Sequence, residues 1–172
     1  MIEFDSMREI LRLKDELMDG NFTEAITLVS QLSAMCRQDR LDLIENFLAL
    51  AISRLIVIQL DSEQINLSHL YELRNALIEI QKKNRLGEDS FYVEADRWQS
   101  IYESAVPWGL LIAVETAEIL DGTDPEELKR IIDFDELKKE ALRLIRLTYS
   151  FEIYELDKYL RSNWLDRQMY RN

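Results

Sequence analysis

Histidine and cysteine each occur once in this chain of 172 residues, as His69 and Cys36, and proline and glycine number only two and four. A single cysteine excludes an internal disulfide and any thiolate cage for zinc. A single histidine removes paired-histidine metal sites, histidine–aspartate phosphohydrolase chemistry and most catalytic triads, since each needs the imidazole beside another specific group. Few turn residues leave little room for the many short strands of a sandwich or barrel, so long helices are expected. Positive charge is also short: 21 Lys and Arg face 33 Asp and Glu, a formal net charge of −12. That balance argues against a general nucleic-acid surface and against anionic membranes, and it favours a cationic partner.

Long hydrophobic runs are missing as well. The most apolar stretch, Phe47 to Leu60, has Arg54 at its middle and acidic Glu45 and Asp61 at its flanks. It is too short to span a bilayer and fits a buried core helix. The start Met1-Ile2-Glu3-Phe4-Asp5 has neither the basic opening nor the apolar run of a signal peptide, so the cytoplasm is the expected location. A content of 47% hydrophobic and 31% charged residues is that of a folded globular chain.

The helices can be read in order. Ser6 and Glu9 form a capping box, Gly20 is a C-terminal stop, and Met7, Ile10, Leu11, Leu13, Leu17 and Met18 give an apolar stripe over residues 7–19. Asn21 caps a second helix with Phe22, Ala25, Ile26, Val29 and Leu32 on its inner face, and the short Gly-Asn link makes the pair an antiparallel hairpin. Cys36, near Leu32 and Met35, is expected as a partly buried thiol. Asp39 opens a third helix reaching about Leu60, apolar all round beyond Leu48 and so central to the bundle. Asn66 or Ser68 caps a fourth, with Leu70, Leu73, Leu77 and Ile80 inward and Lys82, Lys83 and Arg85 at its end. A fifth covers Glu94 to Leu120, kinked or split at Pro107. Thr123-Asp124-Pro125 and Asp133 with Glu136 start two more, the second running through Leu147, and a last helix covers Ser150 to about Gln168.

Candidate sites are few. Asp39, Asp42 and Glu45, three residues apart, are the spacing by which all-helical nucleotide pyrophosphohydrolases hold Mg²⁺. The second set such a site needs is lacking, because Glu72 is followed at that spacing by Asn75. A cap at Asp39 and a solvated face explain the three carboxylates better. The acidic turn Asp121 to Glu127 lacks the ligand pattern of a calcium loop and reads as helix capping. His69, in the first turn of its helix, is expected to be neutral and exposed or capping. Arg54 must reach solvent or find a carboxylate; structural pairing is the expected explanation and an anion-binding pocket the alternative. From Tyr149 to Asn172 the chain carries six of its sixteen aromatic residues and four charges of each sign, so residues 1–148 hold the whole acidic excess. Tyr154, Tyr159, Arg161, Trp164 and Tyr170 in this tail are the expected contact residues, since aromatics interleaved with Arg are typical of protein interfaces. The bland alternative is that the tail packs on its own bundle.

The hairpin Gly20-Asn21-Phe22-Thr23-Glu24-Ala25, the segment Cys36-Arg37-Gln38-Asp39-Arg40, then Arg74-Asn75-Ala76, Glu79-Ile80, Asn84 and Ile101-Tyr102-Glu103-Ser104-Ala105 together resemble the bacterial, mainly cyanobacterial, family called domain of unknown function 29. The likeness covers about residues 11–147 and implies an all-helical fold with no established activity. The chain departs from the family where Ser53 and Val57 stand in place of a His and a Lys, and where the Asn66-Leu67 region replaces a Trp. The hairpin also looks like one tetratricopeptide unit, without the repetition that defines such arrays.

These readings converge on an all-α, single-domain helical bundle of six to eight helices, with an N-terminal hairpin and a long apolar central helix. Residues 1–148 form the bundle and 149–172 an aromatic-rich C-terminal helix. The expected role is a non-enzymatic adaptor or regulatory module that engages a protein partner or a second copy of itself, with no cofactor, nucleic acid or membrane. The rivals are a Mg²⁺-dependent nucleotide hydrolase and an acidic mimic of nucleic acid that occupies a basic protein.

Overall fold

A computed structural model describes residues 6–60, 67–87, 90–116 and 122–165, with the side chains of 6, 7 and 163–165 outside the description. The fold is all-α. Seven α-helices follow one another among the described residues: α1 (Ser6–Met18), α2 (Phe22–Leu60), α3 (Leu67–Asn84), α4 (Trp98–Thr116), α5 (Pro125–Ile131), α6 (Phe134–Ser150) and α7 (Ile153–Tyr159), the last running into a wider π-helical segment, Leu160–Leu165. The contacts divide the chain into two compact units, Met1–Asp42 and Leu43–Asn172. The division at 148/149 read from composition falls inside the second of them.

In the first unit α1 ends as Gly20 predicts. Gly20 has φ +77°, a left-handed conformation that suits glycine. Its N–H donates to the Leu17 carbonyl at 3.3 Å and the Asn21 N–H to the Glu16 carbonyl at 2.9 Å, which satisfies the open end of the helix. The Asn21 side chain reaches back to Glu16 Oε2 at 2.8 Å, and Arg12 on α1 pairs with Glu24 on α2 at 3.0 Å. The hairpin is therefore closed by polar contacts at its turn and across its helices.

Three expectations fail in this region. The second and third helices are one helix of 39 residues, and Asp39 lies inside it, exposed, rather than at a cap. Residues 30–42 contain neither Gly nor Pro, so nothing interrupts the backbone ladder, and Gln38 supports it by donating to Asp42 at 2.6 Å. Cys36 is exposed. Phe22, Ile26 and Val29 also face outward, and the buried positions are Ala25 and Leu28. The apolar residues of this part of α2 spread over more of its circumference than the narrow buried line of Ala25 and Leu28.

The second unit is built around the end of α2. Every residue from Ala51 to Val57 is buried, as an all-round apolar helix requires. Leu70, Leu73, Leu77 and Ile80 of α3 are buried as their spacing predicts, and α3 packs on α6 and α7. Ser68 falls inside α3 and the alternative cap, Asn66, outside the described residues. Helix α4 begins at Trp98, after a turn closed by Arg97 N–H donating to the Glu94 carbonyl, and continues unsplit through Pro107. Pro107 stands on the exposed side, where the acceptor freed by its missing N–H can be hydrated. Helix α4 also packs on α5 and α6. Asp124 caps α5 by accepting from Glu126 N–H at 2.8 Å, and Asp133 caps α6 by accepting from Glu136 N–H at 3.0 Å. Both caps are those read from the sequence.

Gly109 sets the approach of α4 to α2. A Cβ there would lie 2.7 Å from Ile52 Cγ2, 2.9 Å from Ile52 Cβ and 3.0 Å from the Ala49 carbonyl oxygen. Gly109→Ala gains about 1 kcal/mol of helix propensity but overpacks a contact with no room to yield, at a cost of about 1–3 kcal/mol. The variant should unfold at lower urea than the wild type with an unchanged slope. A higher midpoint would show that the two helices can part without cost.

Candidate functional site

The proposed metal carboxylates do not converge. Asp39 and Asp42 are exposed, and Asp42 accepts the bond from Gln38. Glu45 is half-buried and accepts a hydrogen bond from the Ser104 hydroxyl of α4. Among the described residues no three of His, Cys, Asp and Glu are grouped so as to hold an ion. In the acidic turn Asp124 is a helix cap, and Asp121 lies outside the described residues.

Arg54 has the partner its burial demands. Its side chain is 8% exposed; Nε forms an ion pair with Glu72 of α3 and Nη1 donates to Thr116 Oγ1 of α4 at 2.9 Å. Glu72 remains 44% exposed, so the pair sits at the edge of the core with one end in water. Ser53, beside it, is wholly buried and donates to its own helix at the Leu50 carbonyl, 2.8 Å away, and Val57 is wholly buried too. Both residues belong to the core.

The described part of the tail is held to its own unit. Leu156 and Leu160 are buried, Asp157 pairs with Arg74 of α3, and Glu152 accepts both Arg85 guanidinium nitrogens at 2.6 and 2.7 Å. This bidentate contact lowers the Glu152 carboxyl below its ordinary range. Gln81 on α3 donates to the Thr148 and Phe151 carbonyls, tying down the end of α6 just where the chain turns into α7. Of the predicted contact residues, Tyr159 is half-buried and stacks on Phe151 with ring centroids 5.1 Å apart, while Arg161 reaches back to Asp157 at 3.2 Å. Tyr154 is 77% exposed, with Ile153 beside it at 38%. The side chain of Trp164 and the whole of Tyr170 lie outside the described residues.

Sequence reasoning missed Arg74, Gln81 and Asp157, whose roles depend on partners far along the chain. It also missed a cleft of about 210 Å³ between the start of α4 and α6, bordered by Asp96, Trp98, Arg146 and Tyr149. There Trp98 donates to the Tyr149 hydroxyl, which donates to the Val93 carbonyl, and Phe91 packs on the Tyr149 ring at 4.4 Å. Burial raises the Tyr149 hydroxyl. The network fixes the loop before α4 on α6 and brings no nucleophile beside a base. His69 is half-buried on α3. Comparison with protein-family models, with curated proteins and with solved structures gives no match to this chain.

Two predictions follow from the buried polar groups. Glu72→Ala leaves Arg54 without its carboxylate and should cost about 1–3 kcal/mol, discounted for the water at that edge. Arg54→Met removes the charge as well and should cost clearly less. If both variants unfold alike in urea, the ion pair is not what Arg54 depends on.

The Tyr102 hydroxyl on α4 is buried with no hydrogen-bond partner among the described residues, and burial pushes it up to about 12 from an ordinary value near 10. The folded state thus keeps a proton that the unfolded chain releases, so its contribution is complete below pH 10 and disappears as pH rises towards 12. Tyr102→Phe removes this loss of about 2–3 kcal/mol and leaves no orphaned hydroxyl. Denaturation at neutral pH and at pH 11 should show the variant equal to or above wild type at the first and clearly above it at the second. Equal alkaline sensitivity would contradict the assignment.

Proposed function

We propose that this protein is a non-enzymatic interaction module, acting as an adaptor or regulator through exposed apolar side chains on well-anchored helices. The observation that carries this reading is Tyr154. It stands in water next to Ile153 on a helix fixed by two buried leucines and two Arg–carboxylate contacts. An aromatic presented on a rigid support loses little freedom on binding, which is how interface anchors gain affinity. The acidic composition supports the same reading, since it favours a partner with a basic rim around an apolar centre. No described helix is long and apolar enough to cross a membrane, so the exposed residues have no bilayer-spanning role to serve. The likeness to domain of unknown function 29 belongs to this proposal too, with the hairpin and the Arg74-Asn75-Ala76 segment as its support.

Deleting 149–172 would uncover the core that Leu156 and Leu160 close, so loss of binding would then mean only unfolding. A double variant, Ile153→Ser with Tyr154→Ser, changes two side chains that are 38% and 77% exposed and lie outside the buried core. Affinity capture from the native cell should recover a protein with the wild type and lose it with the double variant, at unchanged helicity and melting temperature. An identical set of captured proteins would place the working surface elsewhere.

A further inference from the structure

We propose that the N-terminal hairpin is a self-association element, its exposed apolar seam covered by the same seam of a second copy of this chain lying antiparallel to it. This rests on the interaction-module reading and names the partner and the surface.

Among the described residues of Met1–Asp42, only Ala25 and Leu28 are buried. Against them stand seven large apolar side chains in water: Ile10 at 51%, Leu11 at 54%, Leu17 at 49% and Met18 at 75% on α1, then Phe22 at 66%, Ile26 at 67% and Val29 at 48% on α2. Phe22, Ile26 and Val29 are spaced four and three apart, and Cys36, also exposed, extends the line by a heptad. That is the pattern of a helix-packing seam, separate from the buried line of Ala25 and Leu28. On α1 the pairs Ile10 with Leu17 and Leu11 with Met18 are each seven apart. Two helices with so small a core need a further layer, and hairpins obtain it most simply by pairing into four-helix bundles.

Two quantities point to a second copy as that layer. With roughly 100 Å² of each side chain left in water, the seven offer on the order of 700 Å². A standard stable interface buries about 800 Å² per partner. Charge then fixes the orientation. The tip carries Asp15, Glu16, Asp19 and Glu24 against Lys14 and Arg12, the latter paired with Glu24, and so is net acidic. The open end carries Arg8, Arg37 and Arg40 against Glu9, Asp39 and Asp42. Parallel pairing would set tip against tip and repel. An antiparallel pair centred on Val29 lays each acidic tip beside Arg37 and Arg40 of the other copy, and sets Phe22 across from Cys36. In that register Val29 meets its own copy, while the two Cys36 thiols stand about 20 Å apart, by the rise of a helix.

Sedimentation velocity of the full chain over a wide concentration range tests this. The wild type should be a dimer. Ile26→Asp should raise its dissociation constant by roughly 30-fold or more, as loss of a central anchor does, with helicity retained because the site is exposed. A short bismaleimide should link Val29→Cys/Cys36→Ser into covalent dimers and leave wild-type Cys36 unlinked. Linking at both positions would overturn the antiparallel arrangement. A wild type that stays monomeric, or an Ile26→Asp variant that stays as dimeric as the wild type, would overturn the proposal. Dimers lost instead in the Ile153→Ser/Tyr154→Ser variant would do the same while sparing the C-terminal surface. An unaffected dimer in that variant, lost in Ile26→Asp, supports the hairpin whatever the capture experiment shows.

Discussion

A guanidinium buried in the most apolar part of the chain governs the second unit. Helix α2 between Ala51 and Val57 is enclosed on every side, and Arg54 lies in its middle. An unpaired charge there would cost several kcal/mol, so the helices around it must bring a carboxylate and an acceptor to the same edge. Glu72 of α3 and Thr116 at the end of α4 do so. The register of α3 and the length of α4 are thus tied to one side chain of α2. Gly109 then lets α4 approach close enough to seal the other side.

The remaining polar groups of this unit follow the same logic. Arg74 and Arg85 hold α7 through Asp157 and Glu152, Gln81 closes the end of α6, and Tyr149 receives Trp98 and fastens the Val93 loop. Each of these groups is paired for a structural reason. What these arrangements leave over is surface: Tyr154 is the most exposed large apolar side chain of the second unit's described residues, ahead of Trp108, Ile131 and Leu86, and the first unit has the outer seam of the hairpin. Such side chains are what the proposed interaction role would use.

Much of this architecture was legible in local signals. Gly20, Asp124 with Pro125, and Asp133 mark helix ends because their effects act within one turn, and the spacing of Leu70, Leu73, Leu77 and Ile80 marks a buried face because burial follows the helical period. The need of Arg54 for a carboxylate was legible, but not that Glu72 would supply it. Errors arose where two local signals competed. Asp39 resembles a cap, yet a run without Gly or Pro carried the helix through it. Phe22, Ile26 and Val29 read as core because apolar periodicity cannot say which of two adjoining seams finds a neighbour. The pairing of Arg74 with Asp157 spans 83 residues and leaves no local trace. Of the candidate interface residues, Tyr154 is exposed, while Tyr159 and Arg161 contact their own unit.

The central claim is that the carboxylates of this acidic chain serve caps, ion pairs and solvated faces rather than an ion-dependent reaction. Melting of the full-length protein with Mg²⁺ or Mn²⁺, alone and with nucleoside di- and triphosphates, tests it most directly, because any ligand of the folded state raises apparent stability by mass action. The account predicts no saturable rise in melting temperature beyond that produced by matched ionic strength. A saturable rise that disappears on replacing Asp39, Asp42 and Glu45 with Asn, Asn and Gln would contradict it.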